Sequence, residues 1–198
     1  MLIYLAGPLF CQAEKVFNWQ LAEKLEERGL TVFLPQRDGV ESSKPPYGEM
    51  TNDELRQAIF ALDREKILEA DVFLFVLDGR VPDEGACVEL GIAYGQKHLL
   101  QRDKLIIGLH TDSRAAFLGA KLNAILQGAL DTIADNENDL IAALEEYGRA
   151  RMDGMHYQGE EISSSTSATT TSEDLGAPSC KVSSISSSRR SAFSWVSR

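Results

Sequence analysis

Asp63-Arg-Glu-Lys-Ile-Leu-Glu-Ala-Asp71, Val72-Phe-Leu-Phe-Val-Leu-Asp-Gly-Arg80 and Val81-Pro-Asp-Glu-Gly-Ala-Cys-Val-Glu89-Leu-Gly-Ile-Ala-Tyr-Gly95 run on without a break, and the architecture is read from them. The unbroken apolar run Val72 to Leu77 predicts a strand covered on both faces, as parallel strands are. Gly79 and Pro82 mark a turn. A helix starts near Asp83, and Ala86, Cys87, Val88, Leu90, Ile92 and Ala93 make it apolar almost all round. Such a helix is expected to be buried. Glu89 lies in the middle of it, and glutamate is rarely buried without a reason. The position, just past the C-terminal end of a parallel strand, is where open α/β sheets hold ligands.

Outward from this unit the pattern repeats. Leu2 to Ala6 reads as a first strand, ended by Gly7-Pro8. A helix over about 14–28 follows, stopped by Gly29. Leu30 to Leu34 is a second strand, and Pro35 to Gly39 turns away from it. Residues 40–50 read as loop, and Thr51-Asn-Asp-Glu54 is a capping box that opens the helix reaching Glu69. After the Glu89 helix come a fourth strand, Lys104 to Leu109, a loop over 110–122, and a short helical or irregular stretch over 123–130. Thr132-Ile-Ala forms a short fifth strand, and a closing helix covers 136–147. Strands alternating with helices imply a parallel sheet with right-handed crossovers. The expected fold is α/β: a flavodoxin-like, doubly wound, five-stranded parallel sheet with helices on both faces. The domain is expected to span 1–148. Residues 149–198 turn rich in serine and threonine, cannot bury enough apolar area to offset ordering entropy, and are expected to be a disordered tail.

Charge narrows the partners. The 198 residues carry a net charge of −10; residues 149–198 hold six basic and five acidic groups, which leaves −11 to residues 1–148. A nucleic-acid polymer needs a basic surface and is not expected. No apolar run is long enough for a membrane span. The start of the chain lacks the pattern of a secretory signal, and the odd, scattered Cys11, Cys87 and Cys180 suggest a reducing, cytoplasmic setting.

The familiar catalytic signatures are missing: no glycine-rich phosphate loop, no metal-ligand spacing of His or Cys, no serine elbow. What remains at the C-terminal ends of the strands is a tyrosine, Tyr4, with Asp63, Asp83 and Glu89, and Gln36 to Asp38 after the second strand. Carboxylates around a cleft are the equipment of glycosyl transfer. Each has a plainer reading. Asp83 suits a helix N-cap, Glu84 a first-turn charge, Asp71 a structural junction, Tyr4 a core residue and Cys87 inert packing. Glu89 alone strains its plain reading.

These residues fall into a known pattern. Ile3-Tyr4-Leu-Ala-Gly-Pro-Leu-Phe10, Asp63 eight residues before Asp71, Asp83-x5-Glu89-Leu-Gly-x-Ala93, and Asn123-x-Ile125-x-x-Gly128-Ala-Leu130 together resemble the nucleoside 2-deoxyribosyltransferase family over about residues 1–148. The resemblance implies transfer of 2-deoxyribose between nucleobases without metal or organic cofactor. By position it makes Glu89 the nucleophile, Tyr4 the group that orients it, and Asp63 the proton shuttle facing the base. It places Asp83 on the sugar hydroxyls and Asn123 on the sugar of a neighbouring subunit, implying a homo-oligomer. Gln36 and Asp38 fall where base edges are contacted. The partners implied are nucleosides and free bases.

Two other functions fit the same residues. Related N-glycosidases hydrolyse nucleoside 5′-monophosphates, and need a phosphate pocket that the loop Gly7 to Gln12, with no basic residue, does not supply. A non-catalytic nucleotide sensor would use the tail as its output.

Overall fold

The computed structural model describes residues 1–79, 81–112 and 122–165, with side chains described up to residue 153. Met1–Gln158 forms one compact unit; of the second, Gly159–Arg198, the described part is a helical stretch that ends at Ser165. The first unit holds β1 (Leu2–Ala6), α1 (Gln12–Glu26), β2 (Thr31–Phe33) and a single helical turn α2 (Pro35–Asp38). It continues with α3 (Asn52–Glu69), β3 (Val72–Val76), α4 (Glu84–Leu99) and β4 (Leu105–Leu109), then α5 (Ala124–Ala129) and β5 (Thr132–Ala134). The last helix, α6, is Glu137–Ser165. All strand pairs are parallel, in the order β2-β1-β3-β4-β5. This is the doubly wound fold expected from the alternating pattern.

Strand parity sorts the core into two layers. Ile3, Leu5, Val72, Leu74 and Val76 face one way, against Leu21 and Leu25 of α1 and Leu140 and Leu144 of α6. Tyr4, Ala6, Phe73 and Phe75 face the other way, against Ile67 of α3 and Ala86, Leu90 and Ala93 of α4. Side chains alternate along a strand, so Tyr4 must share the face with α3 and α4. Gly7 lets β1 end close beside β3, because a Cβ there would lie 2.9 Å from Val76 Cβ.

Two expectations are corrected. The closing helix does not stop near 147. It crosses Gly148, at the roughly 1 kcal/mol an interior glycine costs, and Arg151 beyond it pairs with Asp71 at 2.5 Å and Asp103 at 3.3 Å. The serine- and threonine-rich residues from 166 onward lie outside the described residues, as does most of the loop expected over 110–122. Nor is α4 buried all round. Ala86, Leu90 and Ala93 are buried, whereas Val88 is 61% exposed. Among the described residues no helix is long and apolar enough to cross a membrane.

Candidate active site

The Tyr4 ring is clamped between aromatic rings of the two strands that flank β1. Phe33 stacks on it at 5.5 Å and Phe73 at 5.8 Å, with interplanar angles of 17° and 7°. Register produces the stack, since Tyr4 pairs with Phe33 on β2 and Phe73 on β3. The ring is wholly buried. Its hydroxyl emerges toward α4 and donates to Glu89 Oε1 at 2.9 Å. Asp63, on α3, stands close enough to interact with the same hydroxyl.

Burial dominates the electrostatics. It pushes the Glu89 carboxyl up to about 7; the Tyr4 hydrogen bond opposes this, and the charges of Asp63 and Asp83 add to it. Asp63 is pushed up to about 6 by burial, against the Tyr4 hydrogen bond. Tyr4 is raised as well, by burial first and then by the neighbouring carboxylates, so it stays a neutral donor. Two carboxyls poised near neutrality beside one fixed hydroxyl are the kind of group pair that acid–base chemistry employs.

Asp63 and Glu89 line a groove of about 350 Å³ between α3 and α4, walled by Phe60, Val88 and Ile92 and bordered by Arg56 and Arg64. That volume suits a small molecule. A roomier cleft, about 420 Å³, lies at the opposite end of the strands against Ile141, Leu144 and Arg151. Of its two carboxylates, Asp71 is occupied by the Leu2 N–H at 2.8 Å and by Arg151, and Glu145 is exposed. The smaller groove therefore has the better claim, on chemistry rather than on size.

The other expected residues are placed less centrally. Asp83 is the N-cap of α4, its Oδ1 accepting from the Ala86 N–H at 2.7 Å, and its charge reaches Glu89. Asn123 is exposed and caps α5, accepting from the Ile125 N–H at 2.8 Å; no described contact joins it to Glu89. Gln36 donates to Lys15 O at 2.7 Å, while its buried Oε1 has no partner among the described residues. Asp38 Oδ2 accepts from the Leu34 N–H at 2.9 Å and Oδ1 pairs with Arg37 at 2.9 Å, so it is engaged in closing the turn. The groove arginines escaped the sequence reading. So did Asp78, which ties β3 to the start of the next loop by accepting from Thr111 N–H at 2.6 Å, Thr111 Oγ1 at 2.5 Å and Asp112 N–H at 3.0 Å.

A family model described as nucleoside 2-deoxyribosyltransferase matches residues 3–169. The chain belongs to that family. Solved structures are similar to this nucleoside 2-deoxyribosyltransferase family member. A conserved protein from Enterococcus faecalis V583 is 27% identical, with 76% of this chain and 98% of that one covered and a TM-score of 0.58. The 2-deoxyribosyltransferase of the psychrotolerant bacterium Bacillus psychrosaccharolyticus is 25% identical, with 71% and 90% covered and a TM-score of 0.54. The CMP N-glycosidase of Clostridium botulinum is 19% identical, with 73% and 99% covered and a TM-score of 0.43. No curated protein matches this family member in sequence. The family implies nucleoside or nucleotide substrates.

The raised Glu89 carboxyl makes a stability prediction. In acid, Glu89 is protonated whether the chain is folded or not, and its burial costs nothing extra. As pH rises from 4.5 toward about 7 the unfolded chain ionises this carboxyl while burial keeps it protonated in the folded one, and that share of stability is lost, fully so above about 7. Glu89→Gln should therefore raise stability at pH 8 by on the order of 2 kcal/mol and leave it unchanged at pH 4. Urea midpoints at the two pH values check this, and a lower midpoint for the variant at pH 8 would contradict it.

Proposed function

We infer that this chain transfers 2-deoxyribose from a 2′-deoxynucleoside to another purine or pyrimidine base by a retaining double displacement through a covalent deoxyribosyl ester on Glu89. The observation that carries the reading is the 2.9 Å bond from the Tyr4 hydroxyl to Glu89 Oε1, made in the same groove that Asp63 lines. Tyr4 holds one carboxylate oxygen, and the other attacks C1′. The bond from C1′ to the base nitrogen breaks, its electron pair leaves with the base, and Asp63 supplies the proton that neutralises it. An incoming base then attacks C1′ from the opposite side, the ester bond to Glu89 breaks, and the surplus proton returns to Asp63. Two inversions give net retention.

The transition state resembles an oxocarbenium ion, and an anion fixed beneath C1′ in a poorly solvated groove stabilises it. A ribose 2′-hydroxyl would crowd Glu89 and withdraw electron density from the cation, which accounts for a deoxy preference. Asp83 grips the sugar hydroxyls with the carboxylate oxygen not used in capping. Asn123, exposed at the head of α5, reaches the sugar of a neighbouring copy in a homo-oligomer. Gln36 has a free carbonyl to offer a base edge, and Asp38 contributes from beside it.

Free nucleosides suit the site better than 5′-monophosphates. Just before α1, the Glu14 carboxylate is folded back over the loop after β1, where its Oε2 accepts from both Phe10 N–H and Cys11 N–H at 2.8 Å. A phosphate there would meet a carboxylate. Arg56 and Arg64 on the groove favour a second reading, hydrolysis of a 2′-deoxynucleoside 5′-monophosphate, although Arg56 is already paired with Asp53. The test sets the two apart. With 2′-deoxyinosine and adenine the chain should form 2′-deoxyadenosine, and mass spectrometry of the quenched protein should find one deoxyribose on Glu89. Base release from the monophosphate alone, with no exchange between nucleosides, would replace the transferase reading by the hydrolase.

A further inference from the structure

The C-terminal end of α3 is held by side chains from two other elements. Lys104 lies at the foot of β4, is only 2% exposed, and donates through Nζ to Ile67 O at 2.7 Å and to Ala70 O. Gln96, on α4, donates through Nε2 to Leu68 O at 2.7 Å. The last carbonyls of a helix have no partner within it and carry its negative end, so a cation and an amide N–H are suited to them. A lysine buried to this degree is uncommon, and its acceptors are Ile67, in the closing turn of α3, and Ala70, the C-cap residue that follows it.

That turn has a direct line to the site. Ile67 follows Asp63 by one helical turn, its side chain is wholly buried, and it lines the groove that Asp63 and Glu89 share. Gln96 stands two turns along α4 from Glu89. Gln96 thus ties the helix bearing Glu89 to the helix bearing Asp63, while Lys104 ties the latter to the sheet that carries Tyr4. We propose that Lys104 and Gln96 are positioning residues, a polar clasp that fixes α3 against α4 and so sets the spacing of Asp63 from Glu89 and Tyr4. The proposal rests on the reading of Asp63 as the proton-handling group.

The test uses the full chain and two variants, Lys104→Met and Gln96→Leu. Carboxyl ¹³C NMR follows the titration of Asp63, with Asp63→Asn identifying its signal. Release of the clasp lets Asp63 shift toward solvent, so its midpoint should fall by about half a pH unit or more in each folded variant. Base exchange should lose about tenfold in kcat with KM within about twofold, since a small displacement of a reacting group acts on the chemical step. In an Asp63→Asn background the same substitutions should cost less than about twofold. An unchanged Asp63 midpoint in a folded variant, or losses that add fully to that of Asp63→Asn, would overturn the proposal. If Lys104→Met does not fold, Gln96→Leu decides the matter. If the unaltered chain exchanges no base, the transferase reading fails, and the titration still judges the clasp.

Discussion

Glu89→Ala should lower base exchange by about four orders of magnitude or more while the chain stays folded, because a covalent nucleophile has no substitute in the groove. Asp63 cannot take over, since on this reading it is the proton donor to the leaving base and lies on the other helix, α3. Water could attack C1′ directly, but without the anion that stabilises the oxocarbenium ion the barrier rises again. Glu89→Gln keeps an oxygen to accept from Tyr4 and separates geometry from charge: it should fold at least as well and lose comparable activity. Initial rates of exchange between 2′-deoxyinosine and adenine, with circular dichroism as the folding control, measure both. A folded Glu89→Ala chain that retains more than about a tenth of the rate would remove Glu89 from the chemistry. Retained ligand binding without any catalysis in the unaltered chain would favour a sensor.

The second large effect concerns pH. Burial raises both carboxyls, Asp63 to about 6 and Glu89 to about 7; the Tyr4 hydrogen bond opposes the rise in each, and the charge of Asp63 adds to that of Glu89. The reacting form needs Glu89 ionised and Asp63 protonated, one negative charge across the pair. In acid both carry protons and the nucleophile is quenched; in base both are ionised and the leaving base receives no proton. kcat/KM should therefore be bell-shaped with its maximum between about pH 6 and 7, and the two limbs belong to the pair rather than to either residue. Asp63→Asn should abolish the alkaline limb and lower the rate by about 10²- to 10³-fold, the range of general acid–base catalysis. Rates from pH 5 to pH 9 on both proteins provide the check. A wild-type profile that stays level to about pH 9 would exclude Asp63 as the proton source.

Much of this arrangement was legible in the residues. The strand-like Leu2–Ala6 and the unbroken run after Asp71 predict parallel strands, and the register between them puts Tyr4 and Phe73 on one face. The capping box at Thr51 and the cap at Asp83 both mark where helices begin. These signals are local, since each depends on spacing within a few positions. The clasp on α3 left no such trace. Lys104 reads as the polar foot of an apolar strand and Gln96 as an ordinary helix residue, because their bonds cross 37 and 28 positions of chain to backbone oxygens. The open groove beside α4 was hidden for another reason. An apolar residue such as Val88 reads as core whether it meets its own sheet or faces outward, and composition cannot tell the two apart. The end of α6 was misplaced because a shift in composition at Gly148 resembles a boundary, whereas Arg151 finds partners that only the folded chain provides.

The stacking of Tyr4 between Phe33 and Phe73 has one more result. A phenol wedged between two flat neighbours keeps its oxygen in one place, and only its proton can turn, between the carboxyls of Glu89 and Asp63. On the proposed reading, a wider range of accepted bases must then come from changes around the visitor, with the phenol oxygen left where β1 and its two neighbours have aimed it.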